Sequence, residues 1–196
     1  MVNDTAYMLI LDGFADWEAS LAASEVNKSD KYHTVTVGVS RQPVRSMGGL
    51  VVQPDVAIGE VDLSCACVLM MPGGTSWEAG QPPEVTALIE ACEESQVPVA
   101  ALCGATIGLA RAGVLKGRQH TSNRKGYLAE FVPAYAEQRS YVERPAVRDG
   151  LVITASGMGG VEFAYEIICL LDLYGEADRQ LWLTIFRDKT VPPALA

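Results

Sequence analysis

Short apolar runs alternate along the chain with stretches of helical spacing. Tyr7-Met8-Leu9-Ile10-Leu11 is apolar at every position, the pattern of a strand buried on both faces. Asp16 to Lys28 follows with Trp17, Leu21 and Ser24 one helical turn apart. His33 to Val39 (HTVTVGV) is rich in β-branched residues and predicts a second strand. Residues 44–53 (VRSMGGLVVQ) predict a hairpin around Gly48-Gly49. Ala66 to Met71 (ACVLMM) is another buried strand and runs into Pro72-Gly73-Gly74. A helix is predicted over Pro83 to Ser95, with proline in its favoured place near the start. Val97 to Leu102 is again a strand, and Ala105 to Ala112 a short helix that Gly113 can terminate. Residues 146–154 (AVRDGLVIT) read as two short strands about the Asp149-Gly150 turn. A long amphipathic helix over Gly159 to Tyr174 and a last helix over Ala177 to Arg187 complete the pattern.

Continuous apolar strands alternating with helices require a parallel sheet covered on both faces. The expected fold is therefore α/β: a three-layer α/β/α sandwich of flavodoxin-like kind with a mostly parallel sheet and right-handed crossovers. With no repeat, low-complexity tract or linker, residues 1–196 read as a single domain. Ligands in such folds sit beyond the carboxyl ends of the strands. That rule selects three loops: Asp12 to Glu18, Pro72 to Trp77, and Cys103 to Thr106.

Charge narrows the partners. Lys and Arg number 15 against 24 Asp and Glu, a net charge of -9. Such a chain repels phosphate backbones and anionic lipid surfaces, so neither nucleic acid nor membrane is an expected partner. No basic segment precedes the first apolar run, and no run is long enough for a signal peptide or a membrane span. A cytoplasmic location is expected. The five cysteines (Cys65, Cys67, Cys92, Cys103 and Cys169) form no CxxC pair, and the only histidines are His33 and His120. No zinc site or disulfide framework is expected. In a reducing compartment the cysteines are free thiols.

Among these thiols, Cys103 stands apart. It lies in VAALCGATIGLA, between a buried strand and a helix, with small neighbours Gly104 and Ala105. That is the setting of a nucleophile elbow, although G-x-S-x-G is not matched. The positive end of the following helix is expected to favour thiolate. A space-filling buried cysteine would read the same way. Gly73 and Gly74, with Gly104, could turn backbone N–H groups toward an oxyanion. An ordinary turn after a strand is the plainer reading of the Gly-Gly pair. Asp16 is expected to cap the first helix, which puts Glu18 in its first turn. There Glu18 could complement the helix dipole, or face Cys103, hydrogen-bond its sulfur and carry protons. Its removal would then raise the thiol pKa. His120, 17 residues after Cys103, could serve as a base or be a polar strand-end residue. His33 reads as structural. Trp17 and Trp77 flank the expected mouth, where they could shape a small apolar pocket or simply pack.

Taken together, GFADWEAS, MMPGGTSW, VAALCGATIGLARAGVLKGRQHTSN and ITASGMGGVEFAYEII resemble the ThiJ/PfpI family over nearly the whole chain. That family includes the parkinsonism-associated deglycase and belongs to the class I glutamine amidotransferase-like superfamily. The likeness is greatest to its bacterial intracellular protease/amidase members. The resemblance places the family's helix-opening glutamate at Glu18, its Gly-Gly turn at Gly73-Gly74 and its elbow cysteine at Cys103. It implies a reactive cysteine hydrogen-bonded by the glutamate, amides that bind an oxyanion, a homodimer, and no metal or organic cofactor. The apolar segments after Gly159 could supply the dimer surface.

The chain departs from the family pattern at its histidines. Nothing after His120 is a histidine, so the His-x-Glu of true glutamine amidotransferases cannot be assembled. Gly104 stands where protease-like relatives carry a histidine, and Asn123 where deglycase-like relatives carry one. On an extended strand the three-residue offset would turn His120 to the opposite face. Asn123 could still orient a substrate or a water. The expected function is a cysteine-dependent enzyme of hydrolase, hydratase or glyoxalase/deglycase type acting on a small carbonyl or amide compound. The alternative is a redox-sensing or chaperone-like stress protein in which Cys103 oxidises reversibly without turnover.

Overall fold

The computed structural model describes residues 4–190. Its centre is a seven-stranded sheet built from β1 (Thr5–Leu9), β2 (His33–Gly38), β5 (Val56–Ala57), β6 (Ala66–Met71), β7 (Val99–Leu102), β8 (Ala146–Asp149) and β9 (Val152–Ala155). The strand order is β5-β2-β1-β6-β7-β9-β8. Every neighbouring pair is parallel except β8 and β9, the hairpin turned by Asp149-Gly150, where Gly150 has a φ of 61°. A separate two-stranded ribbon, β3 (Val44–Arg45) with β4 (Val51–Val52), is the hairpin that Gly48-Gly49 marks.

Helices cover both faces. On one lie α1 (Ser20–Asn27), α6 (Gly160–Leu170) and α7 (Glu176–Asp188). Their side of the core includes Val26, Met70, Leu102, Phe163 and Ile167. On the other face lie α2 (Thr75–Ala79), α3 (Pro83–Glu94), α4 (Ala105–Arg111) and α5 (Tyr127–Phe131). There Leu69, Met71, Trp77, Ile89 and Ile107 pack together. The central strand β6 is buried at all six positions, which accounts for its unbroken apolar run. This is the three-layer α/β arrangement that the hydrophobic pattern predicts.

Two expectations change. The helix expected from Asp16 begins only at Ser20, and its N-cap is Ala19. Asp16 is engaged elsewhere: its carboxylate accepts from Ser46 Oγ at 2.8 Å and from the Gly48 N–H at 3.3 Å. That contact pins the β3–β4 hairpin over the loop containing Glu18. The apolar residues after Gly159 are also only partly available as a surface, with Val161, Tyr165 and Leu170 half-buried. Phe163, Ala164, Ile167 and Ile168 are fully buried within the chain, where α6 packs against α1 and α7. No helix of the described residues is long and apolar enough to cross a membrane.

Candidate active site

The three loops at the carboxyl ends of β1, β6 and β7 converge on Cys103. Its φ of 52° is a left-handed conformation, which costs a residue with a Cβ about 1–3 kcal/mol. The turn is held from both sides. The Cys103 N–H donates to Ala155 O at 2.9 Å, and its carbonyl accepts from the Thr106 N–H at 3.2 Å and Oγ1 at 2.6 Å. Its side chain is therefore lifted out of the sheet toward Gly73 and Gly157. A Cβ built on Gly73 would lie 2.6 Å from Cys103 Cβ and 2.8 Å from Glu18 Oε2. One built on Gly157 would lie 3.2 Å from both Cys103 Sγ and Glu18 Oε1. Glycine at these two positions makes room for the acid and the sulfur together.

Glu18 is only 3% exposed. Its Oε2 accepts the Gly73 N–H at 2.7 Å, and the carboxyl group also hydrogen-bonds the Cys103 side chain. Burial raises the Glu18 pKa, partly offset by the bonds from Gly73 and Cys103. Burial and then the negative charge of Glu18 push the Cys103 thiol up to about 11, while Asn123 and the Gly104 N–H pull the other way. The expectation of a lowered thiol pKa is thus reversed. The helix end favours thiolate, but desolvation and a neighbouring carboxylate outweigh it.

Asn123 reaches the sulfur from a third direction. Its Nδ2 donates to Cys103 Sγ at 3.2 Å, and its Oδ1 accepts the Gly157 N–H at 2.9 Å. The segment before it is anchored by Thr121 N–H to Thr154 Oγ1 at 2.9 Å and by Ser122 Oγ to Thr106 Oγ1 at 2.7 Å. Asn123 therefore places an amide in contact with the thiol.

His120 does not join this group. It is fully buried, and both ring nitrogens are taken. Nδ1–H donates to Arg118 O at 2.8 Å, so Nε2 accepts from Tyr135 OH at 2.5 Å. Burial lowers its pKa and keeps the ring neutral. Neither nitrogen is free to take a proton from the thiol, so the base role expected for it is not supported. Gly73 also changes role, because its N–H serves Glu18 rather than an oxyanion. The Cys103 N–H is likewise engaged. Gly74 and Gly104 line the same cleft as Cys103, and the Gly104 N–H is directed at the sulfur itself. Trp77 is 1% exposed. Its indole N–H donates to Pro72 O at 3.0 Å, and its ring lies against Gly108. It supports the Gly-Gly turn from beneath and is not at the mouth.

The resulting cleft is small, about 160 Å³. Ala15, Trp17, Met47 and Thr75 form part of its wall, together with Glu78 and Tyr127, whose hydroxyl donates to Glu78 Oε1 at 2.7 Å. Gly157, Glu78 and Tyr127 were not singled out from the sequence. Gly157 sits in the SGMGG run that carried the resemblance, whereas nothing local marks Glu78 or Tyr127. A larger open cleft of about 740 Å³, bordered by Lys31, Cys67, Gln96 and Leu171, lies at the opposite, amino ends of β6 and β7. Among the described residues no group of three His, Cys, Asp or Glu side chains is placed to hold a metal ion.

Residues 4–170 match the model of the DJ-1/PfpI family. The chain belongs to that family. It is 31% identical over 200 residues to a Bacillus subtilis protein named uncharacterized protease YoaZ, covering 98% of this chain and 94% of that one. It is 32% identical over 116 residues to deglycase TK1284 of Thermococcus kodakarensis, covering 59% of this chain and 69% of that one. The solved structure of the DJ-1 superfamily protein Atu0886 from Agrobacterium tumefaciens is similar at a TM-score of 0.87 and 34% identity, over 95% of this chain and 98% of that one. Relatives named as proteases and as a deglycase place enzymatic activity within the DJ-1/PfpI family.

Proposed function

We propose that this protein is a cysteine-dependent enzyme acting on a small carbonyl or amide compound. One observation carries the reading: the left-handed Cys103 turn holds a sulfur that meets both a buried carboxyl group, Glu18, and the Asn123 amide.

In this reading the raised thiol pKa is part of the chemistry. Glu18 takes the thiol proton as the sulfur–carbon bond forms, so no standing thiolate is needed. The carbonyl π electrons move to oxygen, which the N–H groups of Gly74 and Gly104 receive. Each such donor is worth about 3 kcal/mol in the transition state. For an amide, collapse of the adduct breaks the C–N bond, and the amine leaves with the proton that Glu18 returns. Water then attacks the thioester as Glu18 takes its proton, the C–S bond breaks, the acid is released and the departing thiolate takes the proton back from Glu18. Asn123 orients the sulfur. His120 takes no part.

The test is a panel of small aldehydes, amides and isonitriles assayed with wild-type protein and Cys103→Ala. Multiple turnover that disappears in the variant supports the proposal. No turnover by the wild type, together with peroxide-dependent gain of whole oxygens at Cys103, would instead favour the redox-sensing alternative.

A further inference from the structure

The cleft that opens on Cys103 is walled by two carboxyl groups, Glu18 and Glu78, and by no Lys, Arg or His. Glu18 faces the sulfur, but Glu78, exposed on α2, lines the same cleft and has no part in the steps above. Tyr127 OH donates to its Oε1 at 2.7 Å, while its Oε2 has no hydrogen-bond partner among the described residues. The nearby cations are committed elsewhere. Arg124 pairs with Glu130 at 2.7 Å and lies over the Tyr127 ring, 5.9 Å from its centroid. Arg111 Nη1 donates to Trp77 O at 2.9 Å and to Gln81 Oε1 at 3.3 Å. Trp17, 58% exposed at the rim, adds an aromatic face that attracts cations.

We propose that Glu78 is a specificity-determining residue that selects neutral or amine-bearing substrates for Cys103 and turns away those carrying a carboxylate or phosphate. The inference rests on the proposed function for the word substrate, but its physical basis is the field at the sulfur. A carboxylate across a small cleft repels an approaching anion and attracts a cation, and Oε2 is available to accept an N–H. An anionic substrate would have to give up its hydration beside two acids, with no cation in the cleft wall to receive it; Arg111 and Arg124 lie behind that wall and temper the field rather than contact the ligand.

The test uses two methanethiosulfonates of similar size, one bearing 2-aminoethyl and one 2-sulfonatoethyl. In each, the Cys103 sulfur attacks the sulfenyl sulfur, a disulfide forms, the S–SO₂ bond breaks and methanesulfinate leaves. Second-order rates at Cys103 are read by peptide mass, in wild type, Glu78→Gln and Glu94→Gln. Glu94, at the far end of α3, is absent from the cleft wall and controls for net charge. The cation-to-anion rate ratio is expected to fall about fivefold in Glu78→Gln, a modest field effect, and to stay unchanged in Glu94→Gln. High salt should shrink the wild-type ratio. A Glu78→Gln ratio equal to that of wild type would overturn the inference. Labelling needs no turnover, so an enzyme panel that fails while the ratio still falls would sink the proposed function and leave the role of Glu78 standing.

Discussion

Asn123 Nδ2 donates a hydrogen bond of 3.2 Å to Cys103 Sγ. The same amide accepts from the Gly157 N–H, so the sulfur is held by the loop after α4 and the loop after β9 at once. Asn123→Ala removes a donor that favours the thiolate. Alkylation of Cys103 at fixed pH should slow about two- to twelvefold, the range for one hydrogen bond of about 0.5–1.5 kcal/mol. An unchanged rate would show that the contact does not bear on reactivity.

Gly157→Ala should act through space rather than backbone conformation. Its added methyl would sit 3.2 Å from both Glu18 Oε1 and Cys103 Sγ. Labelling of Cys103 is expected to drop at least about tenfold, since misplacement of reacting groups by a fraction of an ångström is costly. Circular dichroism should show the fold intact. Wild-type labelling in this variant would mean that the notch is wider than the geometry indicates.

His120→Ala separates catalysis from packing. With both ring nitrogens bonded inside the protein, its loss should destabilise the fold by about 1–3 kcal/mol. Denaturant melts measure that change. The Cys103 alkylation rate should move less than about twofold, within the reach of small packing adjustments. A large fall in reactivity with unchanged stability would reverse the assignment.

Glu25 gives a pH-dependent stability. It is 1% exposed and bonds Lys28 Nζ at 2.7 Å and Tyr174 OH at 2.6 Å. Burial alone would raise its pKa, but these bonds outweigh it and hold the carboxyl below its usual value. A carboxyl with a depressed folded pKa contributes stability above its unfolded pKa and loses it as pH falls through the folded value. Glu25→Gln should therefore lower Tm at neutral pH and narrow the gap to wild type in acid. A gap that widens in acid would contradict this.

Much of the fold was legible because the strands carry their burial in their composition. The all-apolar run of β6 and the Asp149-Gly150 turn needed no tertiary information. The late start of α1 did, because Asp16 is drawn away by Ser46 and Gly48, residues distant in sequence. The five-residue helices α2 and α5 were missed because they are too short to show a period. At the site, Cys103 announced itself by its place between strand and helix. The sign of its pKa shift did not, since desolvation and the charge of Glu18 arise only when three loops meet. For Trp77 the sequence left open a pocket wall or plain packing, and its contact with Gly108 decides for packing beneath the turn.

The pH profile of Cys103 alkylation in wild type and Glu18→Gln tests the shared Cys103–Glu18 notch most directly. A carboxylate beside a thiol opposes loss of its proton, so wild-type reactivity should still be climbing toward pH 11, the region to which the thiol is pushed. Glu18→Gln removes that charge and should shift the profile to lower pH, the reverse of the effect expected from the sequence, because the Glu18 charge and hydrogen bond both raise the thiol pKa. A profile that shifts upward, or does not move, would contradict the pairing.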